Sequence, residues 1–208
     1  MTGLDFYEQT LHKAGFARVG GADEAGRGAC AGPLVAAAVI LGSDVPEGLD
    51  DSKRLTPARR EALYGEIMAS SIAVTIYSVS AAECDRMGVQ VADLHALRQA
   101  VLALDPEPDF VVTDGFAVSG LPCPSLGMWK ADQAMRCVSA ASIVAKVTRD
   151  KVMVAMAQTY PGYGFDVHKG YATAAHQLAI DALGPCPEHR FSYRNVMQTS
   201  LELRQPVE

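Results

Sequence analysis

GADEAGRGACAGPLVAAAVIL, residues 21–41, sets two adjacent acids before a glycine-rich turn and an apolar run. The apolar run, Leu34 to Leu41, lacks alternation and predicts a strand that is buried on both faces. Successive side chains of a strand point to opposite faces, so Asp23 and Glu24 can converge only where a strand ends. The glycines of the turn would let the backbone change direction there. The stretch therefore predicts a strand, an acidic strand end, a loop that can approach a phosphate, and a second strand.

Two further acids follow predicted strands. Asp114 lies near the end of a predicted strand at residues 110–115, and Asp132 follows a shorter one. Sites in open α/β sheets form beyond strand ends, so we expect both acids to lie near Asp23 and Glu24. Convergent carboxylates repel unless a cation lies between them, and hard divalent ions take oxygen ligands, so the four acids predict Mg²⁺ or Mn²⁺ rather than Zn²⁺. Two such ions roughly 3.5–4 Å apart could activate a water as nucleophile, since no serine or cysteine with a partnered histidine is evident.

Positive charge is clustered, although the formal net charge of −6 taken alone argues against a nucleic-acid partner. The local distribution of charge matters more than its sum. Ser139, Ser142, Lys146 and Arg149 recur at steps of three and four residues, which makes one stripe along the helix predicted at 134–160. Two hydroxyls and two cations in line suit a phosphate backbone, but they suit a solvated helix surface equally well. The sequence leaves both interpretations open.

Length and composition predict one globular domain over residues 1–208. The chain has 208 residues, 49% apolar and 20% charged, with a sheet core and long helix expected over roughly 17–160 and a C-terminal loop and helices over 161–208. The longest apolar run is too short to span a bilayer, and no signal peptide is evident. Five cysteines without paired spacing indicate reduced thiols in the cytoplasm. Cys186 and His189 could begin a zinc site, but no second pair follows.

Local signals predict an alternation of strands and helices. Thr56 before Pro57 is a helix start, and Ser80 with Glu83 forms a capping box for a short helix that ends near Gly88. Residues 160–173 are expected to form a loop. Other helices are predicted at 4–14, 94–104, 134–160 and, as the last one, 174–183; strands are predicted at 17–23, 34–41, 72–79, 110–115 and 125–129.

A competing interpretation is a dinucleotide-binding loop. Residues 26–31 fit the glycine fingerprint, and an acid about 20 residues further on is available in Asp44 or Asp50. That fingerprint opens a helix after its second glycine, whereas the apolar run after Pro33 continues as a strand. The adjacent acids would also place repelling charge beside a pyrophosphate. The sequence therefore favours a metal site.

Taken together, these motifs resemble type 2 ribonuclease H, in its bacterial ribonuclease HII branch. The matching stretches run in family order from about residue 17 to 196 and form a highly specific set. They are GADEAGRG (21–28), AGPLVAAAV (31–39), DSKRL (51–55), VVTDG (111–115), KADQ (130–133), SAASIVAKVTRD (139–150) and HKGYAT (168–173). The resemblance implies an α/β, RNase H-like fold: a mixed five-stranded sheet flanked by helices, with a C-terminal helical part.

The resemblance also implies an activity. We expect an endoribonuclease that hydrolyses RNA in RNA–DNA hybrids and incises duplex DNA at embedded ribonucleotides, leaving 5′-phosphate and 3′-hydroxyl ends. Its implied cofactor is Mn²⁺ or Mg²⁺ in a two-ion site. We expect a cytoplasmic monomer with no membrane contact and no obligate protein partner; the tail LELRQPVE lacks a glutamine-plus-aromatic clamp-binding peptide. The alternative is a non-catalytic hybrid-binding module, which would gain nothing from acids that face phosphates.

The family's functional residues can be carried over to matching positions. Two departures stand out: Ala29-Cys30 replaces an expected proline or leucine, and Ala131 stands where glycine is common, which could displace the last acid slightly. Lys146 and Arg149, from the helical stripe, are expected to bind phosphates. The resemblance implies metal ligation by Asp23, Glu24, Asp114 and Asp132, a Gly-Arg-Gly motif at Gly26, Arg27 and Gly28, a phosphate contact at Lys53 and a junction-sensing tyrosine at Tyr171.

Overall fold

The computed structural model describes residues 5–202, which form two compact units. Leu4, where the first helix is predicted to begin, and the tail residues 203–208 lie outside the described range. Each unit is assembled from three separate segments, and the single domain over 1–208 stays a prediction. Within the described range, the first unit contains the chain up to Ala25, Val35–Tyr77 and Asp93–Val147; the second contains Gly26–Leu34, Ser78–Ala92 and the chain from Thr148.

A five-stranded sheet forms the centre of the first unit. Its strands are β1 (Val19–Ala25), β2 (Leu34–Ile40), β3 (Ala73–Val79), β4 (Phe110–Asp114) and β5 (Ser125–Met128). Their spatial order is β3-β2-β1-β4-β5. Because β1 runs antiparallel to β2 but parallel to β4, and β4 runs parallel to β5, the sheet is mixed, as expected. All seven residues of β2 are buried, which confirms the prediction for the apolar run.

The helices agree with the predicted alternation, with two additions. They are α1 (Asp5–Lys13), α2 (Pro57–Ser70), α3 (Ala81–Met87), α4 (Val89–Leu102), α5 (Arg136–Thr159), α6 (Phe165–His168), α7 (Ala174–Leu183) and α8 (Arg194–Glu202), with a 3₁₀ turn at Ala131–Gln133. Both capping predictions are confirmed: the Thr56 hydroxyl accepts from the Arg59 N–H at 3.2 Å, and Ser80 and Glu83 form both halves of the capping box. The loop predicted at 160–173 contains the single turn α6, and α7 is not the last helix.

Helices cover both faces of the sheet. On one face, α2 and α5 contribute Leu63, Ile67 and Ile143 to a core shared with β2. On the other face, the Thr75 hydroxyl of β3 donates to the Ala100 carbonyl of α4 at 2.5 Å. No helix in the described part of the chain is long and apolar enough to cross a membrane. All five cysteines are free thiols, as their odd number and unpaired spacing predict.

The dinucleotide alternative is wrong. After the second glycine of the turn, Gly28, the next regular element along the chain is the strand β2 and not a helix. The N–H groups of a helix N-terminus, which that fingerprint needs to bind a pyrophosphate, are therefore missing at this point. Pro33 leads directly into the buried strand, as the apolar run predicts.

Gly21 fixes the approach of α5 to β1. A Cβ atom at this position would lie 2.2 Å from the backbone carbon of Cys137 and 2.3 Å from the nitrogen of Val138. Backbone atoms cannot move aside as the end of a flexible side chain can. The strand and the start of the helix therefore pack backbone against backbone, and this close packing buries Val138 completely.

We expect Gly21→Ala to lower the free energy of unfolding by about 1–3 kcal/mol or more, because the added methyl overpacks the contact with α5. Urea denaturation measures the change. Gly65→Ala in α2 is the matched control, since a Cβ there meets no atom within 4 Å and removal of a helical glycine should stabilise by about 0.5–1 kcal/mol. An unchanged urea midpoint for Gly21→Ala would contradict the proposed contact.

Candidate active site

Asp23 lies where β1 has lost its parallel partner. The pairing of β1 with β4 ends at Ala22 and Thr113, whereas its pairing with β2 continues to Ala25 and Val35. Asp23 is therefore inside a strand, and the expectation that the two acids lie beyond a strand end is wrong on the β2 side. On the β4 side the strands have already separated, which leaves room for a carboxylate at the centre of the sheet.

Glu24 follows in the same strand and is half-buried. Strand alternation places its side chain on the face opposite to Asp23. The Glu24 N–H donates a hydrogen bond to Asp23 Oδ1 at 2.8 Å. The two acids are therefore close in space, and the charge of Glu24 raises the pKa of Asp23, although neighbouring side chains of one strand start from opposite faces.

Asp23 is ionised only at a cost in free energy. Burial raises the pKa of Asp23 well above its usual range, and the charges of Glu24 and Asp114 raise it further. Hydrogen bonds from the Ser142 side chain and the Glu24 N–H act in the opposite direction. A bound cation near Asp23 would offset the cost of this buried, repelled charge.

Asp114 and Asp132 are joined through a short turn. Asp114 ends β4, and its Oδ1 accepts a hydrogen bond from the Ala131 N–H at 2.7 Å. Asp132 lies next in the 3₁₀ turn and is buried. Burial raises the pKa of Asp132 to about 6, with additional contributions from the charges of Asp114 and Asp51, while Lys53 lowers it. Asp23 and Asp132 thus both interact electrostatically with Asp114.

Alanine at position 131 imposes no backbone strain on this turn. Among the described residues other than glycine, only Lys130 and Lys169 have positive φ angles, and Lys130 lies at 58°. Ala131 is fully buried and uses ordinary backbone angles. The departure from the common glycine therefore leaves the backbone of Asp132 in an unstrained conformation.

Asp51 is a site residue that the sequence analysis missed, although the quoted motif DSKRL contains it. Its buried carboxylate accepts from the Lys53 N–H at 2.9 Å and from Gln133 Nε2 at 3.1 Å. Its proximity and its charge also raise the pKa of Asp132. The exposed Lys53 is the nearby cation: burial lowers its pKa, but the charges of the surrounding acids, Asp23 foremost, outweigh this effect and raise it.

The polar stripe predicted along α5 is not a surface stripe. Ser139 and Ser142 are buried, and both bind the loop 50–53. The Ser139 hydroxyl donates to the Asp50 carbonyl at 2.9 Å, and the Ser142 hydroxyl is hydrogen-bonded to the Ser52 hydroxyl at 2.9 Å. Lys146 is half-buried. The spacing of these residues predicted that they lie along one face of α5, but at Ser139 and Ser142 this face packs into the protein and is not exposed to solvent.

The acids suit an oxygen-ligated divalent ion in chemistry and charge. Within residues 5–202, no three histidine, cysteine or acidic side chains are gathered closely enough to hold an ion as they stand. The donor set nevertheless consists of carboxylates, the ligands preferred by Mg²⁺ and Mn²⁺. Burial, and then the charges of neighbouring acids, raise the pKa values of Asp23 and Asp132, and a bound cation would favour the ionised form of both.

The Gly-Arg-Gly segment begins the second unit, and its two glycines have different structural roles. Gly26 has φ of +90°, and a Cβ there would lie 1.9 Å from Arg149 Nε, so both backbone and packing require glycine. Gly28 is exposed, its φ is not in the left-handed region, and a Cβ would meet no atom within 4 Å. The fold does not require glycine at position 28, where the bare backbone leaves room for a ligand to approach.

Arg149 is not placed to bind phosphate, which corrects the expectation for this residue. It is fully buried, and its guanidinium donates to the carbonyls of Ala31 at 3.0 Å, Pro33 at 2.8 Å and Lys169 at 2.9 Å. Burial lowers the pKa of Arg149 to about 10, so it stays charged at neutral pH. The guanidinium also lies 5.5 Å from the ring centroid of Tyr171, which it supports from inside the unit.

A histidine cluster holds the backbone of Tyr171. His176 Nδ1 lies 3.0 Å from the Tyr171 carbonyl, which can only accept, so Nδ1 carries the proton and Nε2 accepts from His189 Nε2 at 3.1 Å. Burial lowers the pKa of both rings to about 4. Cys186, considered with His189 as the start of a zinc site, instead has its thiol in a hydrogen bond of 3.2 Å to the His189 ring. The cluster leaves the Tyr171 ring 38% exposed.

Comparisons with known proteins identify the family. The model of the ribonuclease HII family matches residues 20–196. A ribonuclease HII of Cutibacterium acnes is 56% identical over 197 residues, which cover 93% of this chain and 97% of that protein. Ribonuclease H2 from Pyrococcus horikoshii OT3 superposes with a TM-score of 0.79 at 27% identity, covering 91% of this chain and 100% of its own. The structure of a PCNA:RNase HII complex from Archaeoglobus fulgidus gives 0.73 at 26% identity, covering 91% and 98%.

We expect Asp23→Asn to raise the melting temperature of the ion-free protein at pH 7 by about 2–4 °C, because it removes a buried, repelled charge. A carboxyl whose pKa is raised by folding stabilises the fold at low pH and loses that contribution as pH rises through its folded pKa. The gain from Asp23→Asn should therefore shrink in acid. Calorimetry in EDTA measures it.

Asp44→Asn is the matched control, since it removes one charge from an exposed position. The melting temperature of this variant should stay within about 1 °C of that of the wild type, as is usual for surface changes. An equal rise in both variants would assign the effect to net charge, and a fall for Asp23→Asn would contradict the repulsion argument.

Proposed function

The chain belongs to the ribonuclease HII family, and we propose that it is a metal-dependent endonuclease that incises duplex DNA at embedded ribonucleotides. Ribonucleases H act on RNA–DNA hybrids, and the proposal includes that substrate. Cleavage would leave 5′-phosphate and 3′-hydroxyl ends. The observation that carries the proposal is the electrostatic neighbourhood of Asp23, Asp114 and Asp132, three carboxylates around one exposed lysine.

The four acids would hold Mg²⁺ or Mn²⁺, in a two-ion arrangement. Ions bound there would activate a water and neutralise charge on the phosphoryl group. The remaining work falls to the protein. The Ala131 N–H fixes the orientation of Asp114, Ser142 and the Glu24 N–H stabilise ionised Asp23, and Asp51 orients Gln133 and the Lys53 backbone.

Lys53 is proposed to bind a substrate phosphate. It is exposed, and the acids around it raise its pKa, so it carries a full charge at any physiological pH. The loop that bears it is fastened to α5 through Ser139 and Ser142, which limits its movement. Lys146, half-buried on the same helix, is proposed as a second phosphate contact, whereas Arg149 is excluded because it is fully buried and bonded to three backbone carbonyls.

Recognition of ribose is proposed for the Gly-Arg-Gly segment and Tyr171. The exposed backbone at Gly28 can approach a 2′-hydroxyl, the group that distinguishes RNA from DNA. Arg27 Nη2 donates to Gln90 at 2.6 Å, which restrains the side chain between the two glycines. The exposed ring of Tyr171 can stack on the next sugar, where a second 2′-hydroxyl would crowd it. This arrangement favours a ribonucleotide followed by a deoxyribonucleotide.

The test uses duplex DNA that contains one ribonucleotide, incubated with and without Mn²⁺, and maps the cut. We expect a single ion-dependent incision at the ribonucleotide and none in an all-DNA duplex of the same sequence. Asp114→Asn should bind the duplex without cutting it. Binding by the wild type without any incision in Mn²⁺ would instead favour the hybrid-binding module and refute the enzyme.

Tyr171→Ala should reduce incision at a single embedded ribonucleotide roughly tenfold or more, because aromatic stacking is lost. Cleavage of a long RNA–DNA hybrid should fall much less, since a junction is not needed there. Tyr171→Phe keeps the ring and should retain most of the junction preference. If Tyr171→Ala slows both substrates in parallel and also lowers the melting temperature, Tyr171 is a packing residue and does not sense the junction.

A further inference from the structure

Arg190 is hydrogen-bonded to the glycine-rich segment 27–32 from inside the second unit. It is fully buried. Its Nε and Nη2 donate to the Gly32 carbonyl at 3.1 and 2.9 Å, and its Nη1 donates to the Arg27 carbonyl at 3.1 Å. The Arg190 N–H adds a bond of 2.8 Å to the carbonyl of Cys30. One residue thus holds three carbonyls of the segment 27–32, although Arg190 belongs to none of the quoted motifs.

The guanidinium is committed to carbonyls and not to an acid. Within residues 5–202, no carboxylate oxygen lies within ion-pair distance of Arg190. Burying a charge without a counter-charge costs free energy unless its donors are well satisfied. An uncharged residue could fill the same volume at a lower cost in free energy. The carbonyl contacts themselves are therefore the physical reason for an arginine at this position.

Tyr193 joins Arg190 at the same carbonyl. Its hydroxyl donates a short hydrogen bond to the Arg27 carbonyl and accepts one from Arg190 Nη1 at 3.2 Å. The guanidinium carbon also lies 5.6 Å from the centroid of the Tyr193 ring. The Arg27 carbonyl therefore receives two donors from buried or half-buried side chains, which fixes the orientation of the peptide unit between Arg27 and Gly28.

That orientation decides where the Gly28 N–H points. In a trans peptide the carbonyl and the following N–H point in opposite directions. Because the Arg27 carbonyl is directed toward Arg190 and Tyr193, the Gly28 N–H is directed away from them, on the exposed side of the segment. Among residues 5–202 this N–H has no acceptor. Arg149 cannot supply the same control, since its bonds to this segment reach only residues 31 and 33.

We propose that Arg190 and Tyr193 are positioning residues that direct the Gly28 N–H at the ribose 2′-hydroxyl, and so set the preference for a ribonucleotide over a deoxyribonucleotide. This inference rests on the proposed function of the Gly-Arg-Gly segment. The N–H donates and the 2′-hydroxyl oxygen accepts. If this peptide unit rotated, the hydrogen bond from the N–H to the 2′-hydroxyl would have an unfavourable angle. The loop would then discriminate less between a ribonucleotide and a deoxyribonucleotide.

The test compares Tyr193→Phe and Arg190→Lys with the wild type in Mn²⁺. We measure kcat/KM for a duplex with one ribonucleotide, and the inhibition constant of an all-DNA duplex of the same sequence as competitor. Tyr193→Phe keeps the ring and removes only the hydroxyl, so it should fold normally. We expect kcat/KM to fall roughly fivefold to tenfold, the effect of one misplaced hydrogen bond, while the inhibition constant changes by less than about twofold.

Ser192→Ala is the matched control, since it removes a hydroxyl from the same turn that bonds to Asp85 at 2.5 Å and does not touch the segment 27–32. This variant should keep the wild-type preference. If Arg190→Lys lowers the melting temperature strongly, Tyr193→Phe alone decides the outcome.

An unchanged preference in folded Tyr193→Phe, an equal loss in Ser192→Ala, or a parallel rise in the inhibition constant would each overturn the positioning role. A wild type that does not distinguish the two duplexes would instead refute the proposed function itself. The two failures are therefore separable within one set of measurements.

Discussion

The separation of β4 from β1 after Ala22 is the constraint on which the candidate site depends. Where the strands still pair, the sheet is an ordinary apolar layer; where they have parted, Asp23 occupies the centre of the sheet on a strand that β2 continues to hold. A carboxylate placed there is buried and repelled by its neighbours. Hydrogen bonds from Ser142 and the Glu24 N–H offset the effects of burial and repulsion only partly, since the pKa of Asp23 stays raised, and a bound cation would offset the remainder.

The second unit uses buried charge in the opposite sense. There, Arg149 and Arg190 are fully buried, no carboxylate of residues 5–202 lies within ion-pair distance of either, and their donors are directed at backbone carbonyls. Each carbonyl held inward directs the N–H of its own peptide unit the other way. The neutral ring of His176, itself bonded to His189, likewise holds the carbonyl of Tyr171. The first unit thus gathers buried carboxylates, whereas the second uses buried arginines to orient the backbone of a loop.

Sequence reasoning succeeded where a signal is local and failed where the answer is tertiary. The caps at Thr56 and Ser80 and the burial of β2 follow from neighbouring residues and are confirmed. The continuation of β1 past Asp23 depends on pairing with β2, which no local pattern encodes. Spacing put Arg149 on a helical stripe, but only the carbonyls of distant loops decide that the stripe faces inward. Asp51 lies in a quoted motif, but its role depends on a contact with Gln133, 82 residues further along the chain, which no local pattern encodes.

Anomalous scattering from crystals soaked in MnCl₂ tests the central claim most directly, because it locates the ion without relying on activity. We expect one or two manganese peaks within about 2.5 Å of carboxylate oxygens of Asp23, Glu24, Asp114 and Asp132, and no such peak in crystals of Asp23→Asn. Manganese bound only elsewhere, or no peak near these acids at a concentration that supports cleavage, would contradict it.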